Sequence, residues 1–238
     1  MIFTAIANTF VRIGTAISTT CSKIGSAVVG FAQKVAPVIA QVVDAFKPVA
    51  DALGKIAGAF LQNMGILQPG QSVEDLGERA LQASERGITT DKFDNFDDYL
   101  SALRNFELDP NKEHKAIERL ISGLAIGTWG TELKLNAAPG SLGSMWLLPM
   151  ANSEYFTADR LLGLVMAGAL RGDMQAYLEK RLSGADASEM REKLEINADG
   201  SPMNEAQLDE LYEALDKSCD AWDKLREKVQ QRSSEGAQ

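Results

Sequence analysis

Hydrophobic and polar positions recur every eleven residues near the start of the chain. The columns Ile2, Ile13, Ile24, Val35 and Ile6, Ile17, Val28, Ile39 show the repeat. Eleven residues make three helical turns, so each column stays on one face of a helix as it lengthens. The two columns lie four and seven residues apart and therefore form one apolar stripe. The pattern predicts a long amphipathic helix whose apolar face consists of Ile2, Ile6, Ile13, Ile17, Ile24, Val28, Phe31, Val35 and Ile39.

The opposite face of this helix is polar but carries few charges. It has one cation in each repeat and almost no acid, and its stripe consists of Arg12, Thr15, Thr19, Lys23, Ser26 and Lys34. Surface helices of soluble proteins usually carry Glu–Lys pairs instead. A weakly cationic helix with Ile and Phe on its other face suits the interface of an anionic bilayer. Burial against copies of itself in an oligomer, or in an ordinary intradomain core, remains an alternative for the apolar face.

Prolines divide the N-terminal segment into shorter helices. Pro37 and Pro48 each mark a kink or a helix start, which predicts helices at 2–35, 37–46 and 48–65. Kinked helices are compatible with a hairpin that dips into a membrane. Because Arg12, Lys23 and Lys34 interrupt the apolar stretch, a standard single transmembrane span is not indicated. A cationic region typical of a secretory signal is also missing from the first residues.

The composition changes to that of an ordinary soluble protein after residue 66. The stretch GILQPGQS indicates a linker, and Ser72 with Asp75 forms an N-cap. Periodicity and caps predict helices at 73–86, 95–107, 110–126, 142–150, 158–171, 173–182, 187–194 and 204–230. A short hairpin is possible around Asp199-Gly200, and Gly184 is expected to follow a helix end.

We therefore predict an all-α fold in which a long N-terminal amphipathic segment precedes a compact multi-helix body and a long C-terminal helix. The expected divisions are an amphipathic membrane or assembly segment (1–66), a linker (67–72), a helical body (73–203), a C-terminal helix (204–231) and a disordered tail (232–238).

The C-terminal helix is expected to begin at Asn204, where Gln207 completes a capping box. Its apolar positions recur at spacings of three and four, with one polar interruption at Ser218. They are Leu208, Leu211, Leu215, Trp222, Leu225 and Val229. Such a pattern supports a coiled coil, but it is commoner in a helix packed on its own domain. In the body, GSMWLLPMA and LLGLVMAGAL are expected to be core helices, or else a hydrophobic surface released on membrane contact.

Charge is distributed unevenly along the chain. Residues 1–66 carry five cations and two anions, a net +3, and the remaining residues carry 19 cations and 31 anions, a net −12. Nucleic-acid binding needs clustered Lys and Arg to replace counterions, so the acidic body is not expected to bind nucleic acid. The expected partners are anionic membrane lipids, further copies of the chain and other structural proteins of the same assembly.

Candidate catalytic and metal-ligating residues are sparse. His114 is the single histidine and is expected to be a surface residue, and Cys21 with Cys219 adds too few ligands for a zinc site. No phosphate-binding loop or nucleophile elbow is present. We therefore expect that the protein is not an enzyme and that it has no catalytic residue, no cofactor and no metal site.

Two acidic stretches invite a calcium interpretation that their spacing does not support. The run DKFDNFDD lacks a turn glycine, and its Asp97 and Asp98 fit the first turn of a helix better. In EINADGSPMNEA, Ala206 occupies the position of the bidentate glutamate, so the strongest ligand is missing.

In general organisation, residues 1–66 followed by a helical domain resemble the small internal virion (ejection) proteins of short-tailed bacteriophages. Those proteins pair a Gly/Ala/Val/Thr-rich amphipathic segment with a helical domain and assemble into a conduit through the host envelope. The resemblance implies an oligomerising, membrane-active protein located in the virion interior or the host cell envelope. A secreted component of the same kind is also considered, and outside a virion or envelope the expected location is cytoplasmic and membrane-associated. The alternatives are a structural protein of a larger particle whose N-terminal helix packs only against protein, and a soluble enzyme or adaptor.

Overall fold

The fold is all-α, as the sequence predicts. The computed structural model describes residues 14–197 and 199–235, and within these ranges the chain forms helices and no β-strand. The helices, in chain order, are α1 (helical over 14–22), α2 (Val29–Lys34), α3 (Ala36–Ala45), α4 (Lys47–Asn63), α5 (Val73–Glu85), α6 (Phe96–Asn105), α7 (Ala116–Lys134), α8 (Leu147–Ala151), α9 (Ala158–Met166), α10 (Met174–Leu178), α11 (Gly184–Leu194) and α12 (Glu205–Glu235). Short 3₁₀ turns lie at Ser26–Val28, Thr90–Lys92 and Gly143–Trp146.

The predicted helix at 2–35 is wrong in one respect, because the described part of it is broken at Gly25. Gly25 has a φ of 136°, outside the helical region, and a Cβ built there would lie 2.0 Å from Thr90 Oγ1. The chain therefore turns between α1 and α2. Residues 2–13 of that prediction lie outside the described ranges. The next two helices, α3 and α4, begin close to the predicted positions, each with a proline in its first turn.

The buried helix α7 lies at the centre of the body. Its residues from Leu120 to Thr128 are all buried. Glycines allow α5 to approach it closely, since a Cβ at Gly77 would lie 1.8 Å from the Arg119 carbonyl oxygen and one at Gly123 would lie 2.0 Å from the Val73 carbonyl oxygen. These contacts place the two helices antiparallel with their backbones touching.

Helix α7 starts and ends later than predicted for 110–126. The backbone N–H of Asp109 donates to Gln82 Oε1 at 2.8 Å, and that of His114 donates to Glu78 Oε2 at 3.1 Å. Because α5 supplies partners for these amides, the chain from 109 to 114 is held as a loop instead of forming the first turns of a helix. At the other end the helix runs on past Gly127 to Lys134.

Several predicted helix ends differ from the structure. Helix α9 stops at Met166 before Gly168, which has a φ of 73°, and α10 stops at Leu178 before Lys180, which has a φ of 54°. Gly184 was expected to follow a helix end, but it is the first residue of α11, after the N-cap Ser183. The predicted hairpin is reduced to one isolated bridge between Ile196 and Pro202.

The predicted N-cap at Ser72 and the predicted capping box at Asn204 are confirmed, and both have the two reciprocal hydrogen bonds of a capping box. The Asp75 amide donates to Ser72 Oγ at 3.0 Å, and the Ser72 amide donates back to Asp75 Oδ2 at 3.1 Å. At the start of α12 the Gln207 amide donates to Asn204 Oδ1 at 3.0 Å, and the Asn204 amide donates back to Gln207 Oε1 at 2.9 Å. Local sequence signals therefore place both helix starts correctly.

One continuous core contains apolar residues from the N-terminal helices, the body and α12. Within the segment predicted as a linker, Leu67 is buried in this core, next to the buried Ile66, and Gly70 forms a turn with a φ of 83°. The sequence boundary near residue 66 therefore separates two compositions but does not separate two packing units among the described residues.

Helix α12 packs on its own chain. Leu211, Leu215, Trp222 and Val229 are buried and Leu208 and Leu225 are partly buried, mainly against α3, α8 and α10. Of the two interpretations of its apolar pattern, the structure shows the intradomain one. The helix continues to Glu235, so the tail predicted to start at residue 232 begins as helix, and residues 236–238 lie outside the described ranges.

Candidate functional site

The candidate functional site is the interface between the body and residues 14–45, here named the docked segment. The predicted apolar face points into the core, and its described members Ile17, Ile24, Val28, Phe31, Val35 and Ile39 are buried. The predicted polar stripe points outward, and its described members Thr15, Thr19, Lys23, Ser26 and Lys34 are exposed. Ile2, Ile6, Ile13 and Arg12 lie outside the described ranges. In this conformation the described apolar face is covered by the chain itself.

Cys21 lies at the centre of this interface. Its side chain is buried beside Ser122 of α7, and burial raises the pKa of the Cys21 thiol to about 12, an effect that the neighbouring Ser122 hydroxyl opposes. Since the thiolate is the reactive form, Cys21 is inert while the segment is docked. Cys219 is also free and buried, but it lies on α12 beside Tyr177 and Lys180, so the two cysteines are unpaired.

The turn between α1 and α2 is tied to the body by Asp91. The Ser26 amide donates to Asp91 Oδ1 and Oδ2 at 3.2 and 3.1 Å, and the Ser26 hydroxyl also donates to Oδ1. These hydrogen bonds lower the pKa of Asp91 below its usual value of 3.8. Beside them, the Thr90 amide donates to the Ile24 carbonyl oxygen at 2.9 Å. The ionised Asp91 therefore holds the turn that Gly25 makes possible.

A buried carboxylate shapes the loop that contacts α2. Glu132 is 4% exposed, and its two oxygens accept the amides of Gly140 and Leu142, each at 2.9 Å. Burial raises the pKa of Glu132, and the two hydrogen bonds only partly oppose this. The next residue, Gly143, lies against the docked segment, since a Cβ there would lie 3.0 Å from Val35 Cγ2.

The end of α12 holds the junction between α3 and α4. The Arg232 guanidinium donates to the Ala45 carbonyl oxygen. Arg232 Cζ and Lys228 Nζ lie 5.9 and 5.7 Å from the centre of the Phe46 ring. The C-terminus of α12 thus covers the end of the docked segment.

His114 was expected to be a surface residue, but its side chain is only 20% exposed. Its Nδ1 lies 3.0 Å from Glu78 Oε1, and its Nε2 lies 3.5 Å from Glu85 Oε1. Burial acts to raise the pKa of Glu78, but hydrogen bonds from His114 and Gln82 and the charge of His114 outweigh it and lower that pKa. The network anchors the loop before α7 and contains no candidate nucleophile.

The stretches considered for calcium have internal partners. Glu195 Oε1 accepts the Tyr212 hydroxyl at 2.6 Å, and Asp199 Oδ1 accepts the Ser201 amide at 2.9 Å. Asp97 and Asp98 lie in the first turn of α6, as predicted. Within residues 14–197 and 199–235, no three His, Cys, Asp or Glu side chains are grouped as metal ligands.

The apolar stretch around Trp146 forms core, as predicted. Met145, Trp146, Leu147, Leu148 and Met150 are buried. The Trp146 indole N–H donates to Thr128 Oγ1 at 2.8 Å, and the Trp146 ring meets Phe60 edge-on at 5.4 Å between centroids.

Three residues of the interface were missed from the sequence. Glu132 and Asp91 act through partners distant in the chain, for which no local signal exists, and Arg232 fell in the predicted tail. The close packing of α7 had a signal, since Gly123 and Gly127 are four residues apart on one helix face, a spacing typical of close helix packing. Gly123 lies against Val73 of α5, and Gly127 lies against Leu61 of α4.

By length and composition, no single helix in the described ranges could cross a membrane, although the pair Ser26–Lys34 and Ala36–Ala45, bent by 55°, satisfies both criteria together. Comparison with known protein families, with curated proteins and with solved structures finds no match.

Proposed function

We propose that the protein is a non-enzymatic, oligomerising, membrane-active protein that keeps its amphipathic segment docked on its own body and releases it at a lipid surface. The observation that carries the proposal is the bent pair formed by Ser26–Lys34 and Ala36–Ala45. Its twenty residues from Ser26 to Ala45 contain only Lys34 and Asp44 as charged side chains. In an assembled state such segments would form part of a conduit across a cell envelope, as the resemblance to virion ejection proteins implies.

The energetics of the apolar face support a conditional release. For the segment alone, moving a buried apolar side chain from the protein core into a bilayer exchanges one apolar environment for another, so this part of the transfer changes the free energy little. Moving the same side chain into water costs about 1.5–3 kcal/mol for each fully buried Val, Ile or Phe. A lipid surface is therefore the kind of environment into which the docked segment can open.

The docked arrangement also sets a requirement. While Ile24, Phe31 and Ile39 are in the core, they are unable to contact lipid or a second copy of the chain. Membrane activity through this face therefore depends on undocking. A disulfide that holds the segment on the body should abolish the activity.

Ser122 neighbours Cys21, so one substitution introduces a second thiol at this position. We expect Ser122→Cys to form a disulfide with Cys21 under mild oxidation, because Ser122 neighbours the buried Cys21 thiol, and the loss of free thiols measures whether the bond has formed. Dye release from vesicles of phosphatidylcholine and phosphatidylglycerol, and flotation with them, are then measured with the oxidised and the reduced protein. The oxidised protein should neither float nor release dye, and reduction should restore both.

The matched control carries Ser122→Cys together with Cys21→Ala, which leaves the introduced thiol without its partner. Its activity should not respond to oxidant. Dye release by the oxidised, disulfide-linked protein at the wild-type rate would show that undocking is not needed. Failure of the wild-type protein to bind vesicles at all would reject the membrane-active proposal.

The second candidate is a structural protein of a larger particle whose N-terminal helices pack only against protein. The outward polar stripe and the buried apolar face favour it. In the described ranges, the large apolar side chains left exposed are separate in sequence, at Leu108, Leu133, Met166 and Tyr212. If wild type never binds vesicles but sedimentation shows concentration-dependent assembly in both redox states of the Ser122→Cys protein, this candidate is preferred.

A further inference from the structure

A cavity of about 320 Å³ lies between the docked segment and the body. Gly30 and Phe31 of α2 form one side of it. Trp129 and Glu132 of α7, together with Pro139 of the following loop, form the other side. A molecule in this cavity would therefore contact the docked segment and the body at the same time.

The lining of the cavity is mostly apolar and contains one buried charge. Among the described residues that line it, Glu132 alone is ionisable. No Lys, Arg or His of the described ranges is paired with its carboxylate, whose hydrogen bonds come from the amides of Gly140 and Leu142. Each carboxylate oxygen accepts one of these bonds and keeps a further lone pair. A buried carboxylate without a cation beside it is costly, and burial accordingly raises its pKa.

We propose that this cavity binds a small organic ammonium ion with an apolar or aromatic body. The ammonium group would supply the missing positive charge at Glu132, and the apolar body would lie among Phe31, Trp129 and Pro139. Aromatic side chains near a cation add a favourable electrostatic contribution. A metal ion fits less well, because one carboxylate offers too few ligands. The volume falls at the lower end of the range for small-molecule sites.

Binding in this position would have a consequence for the docked segment. A ligand that contacts both sides of the interface binds the docked state and not the open one, so it stabilises docking by mass action. This consequence rests on the proposed function, whereas the binding itself does not. The cavity would then be a site at which a small cation delays release.

The test uses three probes of nearly the same size that differ in charge: phenethylammonium, 2-phenylethanol and phenylacetate. Their binding to the full chain is measured by isothermal titration calorimetry at neutral pH in the absence of lipid. We expect phenethylammonium to bind at least about tenfold more tightly than the neutral alcohol, and the anion not to bind.

Two variants assign the binding to this cavity. Glu132→Gln should remove the preference for the cation, a loss of about tenfold in affinity. Gly30→Leu adds a large side chain at a residue that lines the cavity and should prevent binding of the cation and the alcohol alike. The substitution fits, because a Cβ built at Gly30 has no atom within 4 Å. Protection of Cys21 from thiol reagents shows that each variant keeps the segment docked.

Equal affinity for phenethylammonium and 2-phenylethanol would overturn the assignment of a cation. Absence of binding by every probe, or binding that survives Gly30→Leu, would overturn the site. If Glu132→Gln does not fold, the wild-type probe series and Gly30→Leu still decide the question. Because the calorimetry uses no vesicles, a failure of the ligand proposal is distinguishable from a failure of the membrane-active proposal.

Discussion

At the residue scale, the fold depends on positions where only a hydrogen atom fits. Gly123 is such a position, because a Cβ there would lie 2.0 Å from the Val73 carbonyl oxygen. In contrast, a Cβ at Gly58 of α4 would meet no atom within 4 Å. The same substitution at the two glycines therefore separates helix–helix contact from intrinsic helix propensity.

We expect Gly123→Ala to lower the free energy of unfolding by about 1–3 kcal/mol, because the two helices must move apart. Gly58→Ala should raise it by about 0.5–1 kcal/mol, since alanine is the better helix former. Urea denaturation followed by circular dichroism measures both values. Equal effects of the two substitutions would contradict the close α5–α7 contact.

Asp91 gives the docked segment a dependence on pH. Its hydrogen bonds with Ser26 lower the pKa of Asp91 in the folded protein below the usual value of 3.8. The ionised carboxylate therefore stabilises the docked segment fully at a pH above 3.8, and this stabilisation is lost as the pH falls through the pKa of the folded protein. Glu132 acts in the opposite direction, because burial raises its pKa and protonation removes the cost of its buried charge.

In a Cys219→Ser background, we expect labelling of Cys21 by dipyridyl disulfide to accelerate as the pH falls below about 4. Asp91→Ala should label faster than wild type at neutral pH and accelerate less on acidification, because its tie to Ser26 is already absent. Asp94→Ala, which removes an exposed carboxylate nearby, is the control and should behave as wild type. Identical pH profiles for all three proteins would show that Asp91 does not hold the docked segment on the body.

At the element scale, the sequence predicted most helix starts and the inward face of the docked segment, because caps and periodicity are local. The break at Gly25 was not predictable, because it depends on Thr90 and Asp91, which are far along the chain. The same reason explains the error in α7, whose first turns are replaced by a loop bound to Gln82 and Glu78. Periodicity gave the direction of the apolar face correctly but left open what covers it.

The C-terminus of α12 has a testable effect on docking. Replacing both Lys228 and Arg232 by alanine removes two cation–π contacts with Phe46 and a hydrogen bond to Ala45. For exposed side chains these contacts contribute about 1 kcal/mol together, which corresponds to a roughly fivefold faster labelling of Cys21. Lys224→Ala, on an exposed position of the same helix, is the control. A labelling rate unchanged by the double substitution would show that α12 does not hold the segment.

At the scale of the whole molecule, the shared core means that the release we propose would differ between water and lipid. Undocking exposes the apolar face of the segment and also the surface of the body that it covered. In water both surfaces would lose their apolar contacts. Under the proposed function, a bilayer would take up the first surface and cover the second, so undocking is expected to be coupled to membrane binding and not to precede it.

The same shared core predicts that the body does not fold without the docked segment. Deleting residues 1–45 removes Ile17, Ile24, Val28, Phe31, Val35 and Ile39 from the core. At about 1.5–3 kcal/mol each, their loss amounts to roughly 9–18 kcal/mol, comparable with the whole stability of a typical domain. The truncated chain should therefore show no cooperative thermal transition, little near-ultraviolet circular dichroism and strong binding of the dye ANS.

A synthetic peptide of residues 14–45 added in excess should restore the transition, because it supplies the missing side of the core, whereas a peptide with Ile24→Asp and Ile39→Asp should not. A truncated chain that unfolds cooperatively at the wild-type temperature would show instead that the body is an independent domain and the segment an appendage, and docking would then be too weak to keep the apolar face from lipid.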